Sequence, residues 1–380
     1  MPLLERSGDE LRVRGDLLPF SYFPLRRGER RWGRHTMVYT SDPWAVISDS
    51  VDKATAALAQ LAAGEAGLSF VEQAKEYFRA AETARSTEAQ PLLFYYGFLN
   101  LAKALAIARG QQGLVGKVRH GVGVADLSAG VMSAELEVYP TKRNATPSIN
   151  AYDELLVALT GGSGVGTKTK YPLADLLSQI LFGHRLWVEA TRRKERFVGL
   201  ERVELQHVKK ANSIWINLVV PESSLVWRGL AKRTVVEKAN LRPDFDFVRG
   251  VKEADGQVLR IFQQVTPTTY GARPSDDLMN LIDTTKPRLW RAITSTEPYR
   301  RYYVYLSEPG EVRLPQLMSV YLVMFYLGSL TRYNPSMFHD LLESGLGPFL
   351  REFLSSQPHQ FLYGIACEFA KREVSRAAVV

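Results

Sequence analysis

The sequence predicts an α+β protein, a helical bundle formed by N- and C-terminal helices around a mixed α/β insertion. Three observations carry the prediction. Apolar residues recur with a helical period of about 3.6 between positions 43 and 109, and again between 315 and 376. β-Branched and aromatic runs concentrate between 201 and 306. The composition, 46% hydrophobic and 23% charged over 380 residues, suits a globular chain with a sizeable core and excludes a disordered one.

Residues 1–41 read as a basic N-terminal arm, irregular or in short strands, with Arg26, Arg27, Arg30, Arg31, Arg34 and His35 around Trp32. Residues 42–115 form the first part of the bundle. Asp42-Pro43 sets a capping residue before a proline whose fixed φ suits the first helical turn. The helix it opens runs to Ala63, before Gly64. Ser69-Phe70-Val71-Glu72 has capping-box spacing, and the helix behind it places Phe70, Ala74, Tyr77, Phe78 and Ala81 on one face. Pro91 opens a third helix, ended by Gly110 and apolar nearly all round, which belongs at the centre of the bundle.

Residues 116–310 form the insertion. Strand patterns occur at 136–139, 213–220, 258–265 and 302–306, and residues 151–200 read as helices around a glycine-rich interruption. Residues 311–380 are the second part of the bundle, with helices at 315–331, 336–344, 346–356 and 359–376.

Lys and Arg outnumber Asp and Glu by 48 to 40, for a net charge of +8. That excess permits a polyanionic partner without requiring one. The one cysteine, Cys367, excludes an intrachain disulfide and a cysteine metal cage; within an apolar helical pattern it reads as a small buried residue in a reducing compartment. The histidines, His35, His120, His184, His207, His339 and His359, include no pair at i, i+4 and no H-E-x-x-H. No metal and no cofactor are expected. The longest apolar run, 320–327, falls well short of the roughly 20 residues a membrane span needs. The first residues lack a basic-then-apolar leader pattern, so the expectation is a cytoplasmic protein with no membrane partner.

The run from Gly161 to Thr169 misses the phosphate-loop spacing because Thr167 separates Gly166 from Lys168. It also follows a helical pattern where a strand is required, and it reads as a flexible surface loop. No G-x-S-x-G elbow exists. The constellation with chemical content lies near the C-terminus. A buried helix ends at Thr331, and Asn334-Pro335 caps and opens the next one. Arg332 then lies just before that helix and His339 in its second turn, where helix N–H groups favour an anion.

Two resemblances bear on this region. The blocks AKEYFRAAE and PLLFYYGFLNLAKALAIA within 74–108, with LMSVYLVMFYLGSLTRYNP at 317–335, resemble the YaaC-like family of bacterial proteins. That family implies no settled biochemical role. The paired helices over 69–109 and the Arg332…His339 spacing resemble HEPN domains, helical bundles common in bacterial defence and toxin systems. Their motif is an arginine followed after about four to six residues by a histidine, and the polar residue that follows the arginine falls one place later here, at Asn334. This resemblance implies metal-independent RNA cleavage by Arg332, Asn334 and His339, with motifs of two subunits facing one another in a homodimer. Histidine moves protons near neutrality, and a planar guanidinium stabilises charge on a pentacoordinate phosphorus.

The alternative is a non-catalytic nucleic-acid- or protein-binding scaffold, or a subunit of a larger complex, with Arg332 paired to Asp340 or Glu343 and His339 a surface residue. Basic clusters beyond the arm are candidate contacts to RNA or another nucleic acid. They are Arg192, Arg193 and Lys194 (with Arg196), Arg288 and Arg291 beside Trp290, and Arg300 and Arg301 between Tyr299 and Tyr302. Any one of these clusters taken alone better suits an ordinary solvated face.

Overall fold

The computed structural model describes residues 5–13, 15–24, 37–127, 130–144, 147–296 and 301–377. Arg26, Arg27, Arg30, Arg31, Arg34, His35 and Arg300 lie outside the described residues. The content is mixed helix and strand, as an α+β protein requires. The chain divides into two compact units. One gathers Thr40–Glu195 with Leu314–Val374; the other gathers Met1–Tyr39, Arg196–Arg313 and Ser375–Val380.

Helices from both ends of the chain therefore meet in the first unit, which also takes in residues 116–195. Two long-range contacts organise residues 116–195, one within the segment and one to the helices. The strand Thr169–Pro172 pairs with Glu135–Val138, and the helix Ala151–Thr160 packs on Gln90–Ala108. By contact, residues 196–313 group with the second unit.

In the helical unit, Asp42 caps the Pro43–Ala57 helix by accepting from the N–H groups of Trp44 and Ala45 at 3.1 and 3.3 Å. That helix stops six residues earlier than Ala63, and the next runs Leu61–Thr83. Gly64 is not a stop but a notch. A Cβ there would lie 2.6 Å from Thr55 Oγ1, and one at Gly67 3.0 Å from Val51 Cγ1, so the two helices cross closely at bare backbone. Ser69 sits mid-helix, its hydroxyl returned to the Glu65 carbonyl at 2.9 Å, and caps nothing.

The Gln90–Ala108 helix packs against Pro43–Ala57, Leu61–Thr83, Ala151–Thr160, Gln316–Tyr333 and Gly347–Ala370. Its all-round apolar surface needs that many neighbours. The segment Thr87–Ala108 is also long and apolar enough to cross a membrane, and 78% of its apolar window is buried within the chain. The C-terminal helices are Gln316–Tyr333, Pro335–Glu343 and an unbroken Gly347–Ala370. The break expected near 358 is absent, because Pro358 is buried among neighbours that hold the helix across it. The helix ends at Ala370, with Lys371 left-handed, short of the expected 376. Cys367 is buried, and its Sγ accepts the Val374 N–H at 3.1 Å.

Gly97 supports a first prediction. A Cβ there would lie 2.8 Å from Phe78 Cδ2, and the Phe78 ring is hemmed in by Trp44, Phe94 and Phe98. Alanine gains about 1 kcal/mol of helix propensity, but overpacking a filled core costs about 1–3 kcal/mol. Gly97→Ala is expected to lower the urea midpoint modestly. A raised midpoint would show that Phe78 has room to move.

The second unit is built on an antiparallel sheet. Its strands lie in the order Asp9–Glu10, Arg202–Val208, Ser213–Pro221, Val258–Gln264 and Phe245–Lys252, with Thr268–Thr269 pairing the start of Ser213–Pro221. The central strand is buried along nearly its whole length, whereas Arg202–Val208 alternates buried and half-exposed residues. A continuous apolar run marks a strand covered on both faces; alternation marks one covered on a single face. A three-stranded sheet of Phe197–Gly199, Tyr302–Tyr305 and Ile293–Ser295 and the helix Leu278–Ala292 complete this core.

Candidate functional site

The Gln316–Tyr333 helix has its interior filled by apolar side chains, and its last turn emerges with Arg332 and Tyr333 exposed. Arg332 Nη1 donates to the Tyr96 hydroxyl at 3.3 Å, and the guanidinium lies 5.0 Å from the Tyr333 ring centre. It pairs with neither Asp340 nor Glu343; the latter holds Arg351 at 3.1 Å. Asn334 opens the Pro335–Glu343 helix through its backbone, not its side chain. Its N–H donates to Leu330 and its carbonyl accepts from Phe338, and the expected side-chain cap is not made.

His339 Nδ1 lies 2.7 Å from a carboxylate oxygen of Glu88, both side chains about half exposed. The backbone carbonyl of Glu88 also accepts the Thr331 hydroxyl at 3.0 Å. Glu88 thus ties His339 to the residue next to Arg332, although Arg332 and His339 share no hydrogen-bond partner.

The Tyr96 ring whose hydroxyl accepts from Arg332 also lies beside an imidazole, His120, with ring centres 6.5 Å apart. This imidazole is half-buried, its Nδ1 2.6 Å from the Tyr95 hydroxyl, its ring packed on Tyr95, Tyr96 and Phe325. Burial first, then the charges of Lys103 and Arg332, hold its pKa below the ordinary imidazole value. The Glu88 carboxylate does the reverse for His339, raising its pKa chiefly through their hydrogen bond.

The signs for stability follow. The His339–Glu88 pairing stabilises the fold fully below the unfolded imidazole range and fades as pH rises through the raised folded value. His120 contributes above the unfolded range, and its contribution is lost as pH falls toward its depressed folded value. Imidazole NMR titration is expected to place His120 below about 6.5 and His339 above it. The opposite order would contradict this arrangement.

Tyr95, Tyr96, Lys103, His120 and Glu88 carried no sequence signal. The adjacent tyrosines in an otherwise apolar helix were the available clue, because a buried hydroxyl needs a partner. Elsewhere, Arg192 pairs with Glu189 at 2.8 Å and caps its helix in a left-handed conformation, with Arg193 and Lys194 exposed beside it. Arg196 is buried against Glu311 at 2.9 Å and is not a surface cation. Arg288 is committed to Asp244 and to the Arg242 carbonyl, while Arg291 and Arg301 are exposed. Among the described residues no group of His, Cys, Asp or Glu has the arrangement to hold a metal ion.

No curated protein and no solved structure matches the chain. The family model described as "YaaC-like Protein" matches residues 33–369. That span includes both sequence blocks and the Arg332 corner they form, and on it the chain belongs to the YaaC-like protein family.

Proposed function

We propose that this YaaC-like chain is a metal-independent endoribonuclease of HEPN-like design, acting in a defence or stress response and working as a homodimer or within a larger complex. The observation that supports it is that an exposed guanidinium, Arg332, donates to the Tyr96 hydroxyl, and Tyr96 in turn lies beside a half-buried imidazole, His120, whose pKa is lowered chiefly by burial. Its companion is His339, an imidazole at the same helix corner whose pKa is raised by the hydrogen bond to Glu88. Two like groups pushed apart in pKa are the usual basis for one base and one acid.

In this reading His120 takes the proton of a ribose 2′-hydroxyl through Nε2, its other nitrogen being held by Tyr95. The 2′-oxygen attacks phosphorus, Arg332 stabilises the charge on the phosphoryl oxygens, and His339 gives its proton to the departing 5′-oxygen. The products are a 2′,3′-cyclic phosphate and a 5′-hydroxyl. The test is cleavage of single-stranded RNA in excess chelator by the parent protein and by Arg332→Ala.

The runner-up is a non-catalytic nucleic-acid-binding scaffold. The exposed cations Arg193, Lys194, Arg291 and Arg301 favour it. It is expected to give binding that weakens steeply with salt and leaves the RNA intact.

A further inference from the structure

His120 also forms part of the wall of a cleft of about 940 Å³ within the helical unit. This volume lies near the upper end of small-ligand sites, which run about 300–1,000 Å³. Arg119, Lys142 and Lys168 line it together with Ser148 and Thr167. Lys168 is balanced by Glu137 at 2.7 Å. Arg143, next to Lys142, is spent on the buried Glu154, which it contacts at 2.7 Å. Arg119 and Lys142 are exposed and form no ion pair among the described residues. The cleft therefore carries uncompensated positive charge.

The backbone around these cations is fixed. The Arg119 N–H donates to Ile149 and its carbonyl accepts from Ala151, both at 2.9 Å. Lys142 and Ser148 exchange both of their backbone hydrogen bonds, at 3.0 and 2.8 Å. The Tyr139 N–H donates to Gly121 at 3.0 Å, and a Cβ at Gly121 would lie 2.7 Å from Asn150 Cβ.

The glycine-rich loop supplies Thr167 and Lys168. Its anchor is Asp153, a carboxylate only 5% exposed. One Asp153 oxygen accepts the Val165 N–H of the loop; the other accepts the Thr141 N–H of the opposite wall at 2.7 Å. Gly164 has to be glycine, because any Cβ there would collide with the same carboxylate. The loop expected to be a flexible surface segment is thus pinned to the rest of the cleft.

We propose that this cleft binds a phosphate-bearing ligand through Arg119, Lys142 and Lys168. Cations set on a hydrogen-bonded backbone suit a multiply charged anion, because binding has to order their side chains but not the chain that carries them. Hydroxyls of Ser148 and Thr167 add neutral donors for phosphoryl oxygens. Two sources share this chemistry, the phosphates of a free nucleotide and the phosphodiesters of a strand.

The experiment measures inorganic pyrophosphate and ATP by isothermal titration calorimetry, and a labelled single-stranded RNA by anisotropy in chelator. The parent protein is compared with the double variant Arg119→Glu, Lys142→Glu and with Lys210→Glu, an exposed cation outside the cleft. Both variants alter exposed side chains, and circular dichroism checks that they fold. The double variant is expected to weaken binding by about tenfold or more, and Lys210→Glu to leave it unchanged. Binding of pyrophosphate or ATP with this dependence assigns a free phosphate; binding of RNA alone with this dependence assigns a strand. Absence of binding by all three probes, or binding indifferent to the double variant, overturns the proposal. The outcome is separable from the ribonuclease reading. RNA left intact by a protein whose cleft binds pyrophosphate removes that reading and leaves the cleft, and RNA cleaved by a protein whose cleft binds nothing does the reverse.

Discussion

Arg332→Ala is expected to lower chelator-resistant RNA cleavage by about 10²–10³-fold, the usual cost of removing one preorganised donor to a developing oxyanion. His120→Ala is expected to cost about 10²–10⁴-fold, the range for a lost general base. Arg332 is exposed and gives up one hydrogen bond, to Tyr96, so its loss leaves the fold in place. Arg332→Lys keeps the charge and loses the planar fork, and its activity should fall between alanine and the parent.

Glu88→Gln separates chemistry from architecture. It removes the carboxylate that raises the His339 pKa, so the alkaline limb of the pH–rate profile should move to lower pH. A purely structural Glu88 would lower the rate without moving that limb. If Arg332→Ala cleaves RNA as fast as the parent, the corner is a packing feature and the ribonuclease reading fails.

Phe98→Ala is expected to give the largest loss of stability, about 3–5 kcal/mol for emptying a fully buried aromatic site. Phe98 has no exposed surface, stacks on Phe361 with ring centres 3.8 Å apart and planes 12° from parallel, and lies 5.8 Å from Phe78. Phe98 belongs to the Gln90–Ala108 helix and Phe361 to the Gly347–Ala370 helix, so the stack joins opposite ends of the chain. The measurement is urea unfolding followed by helical circular dichroism. Phe361→Ala should behave alike, and the double variant should cost less than the sum by about 0.5–1.5 kcal/mol, the coupling of an aromatic pair. Strict additivity would mean that the two ends of the chain do not meet at these rings.

Much of the local structure was legible because its causes are local. Asp42-Pro43 is a capping signal complete in two residues, and the all-round apolar surface of Gln90–Ala108 announced a central helix. The mixed-strand core showed itself in 213–220, where an unbroken apolar run requires cover on both faces. Errors arose wherever a local signal was overruled from a distance. Gly64 looked like a terminator, but Thr55 across a helix crossing required it to be bare. Pro358 looked like a break, yet its helix continues in a packed interior. Thr169–Pro172 was not expected as a strand, because its partner, Glu135–Val138, lies more than thirty residues earlier.

The candidate site divides in the same way. The sequence alone determined that Arg332, Asn334 and His339 stand at a helix corner, and which family the chain resembles. Only the tertiary structure decided that Arg332 reaches Tyr96, 236 positions away, and bears on His120, and that Asp153 binds a glycine loop to the far wall of a basic cleft. Caps and periods are written within a few turns of one helix, whereas proton affinity and anion affinity depend on which distant charges and apolar surfaces folding brings within a few ångströms.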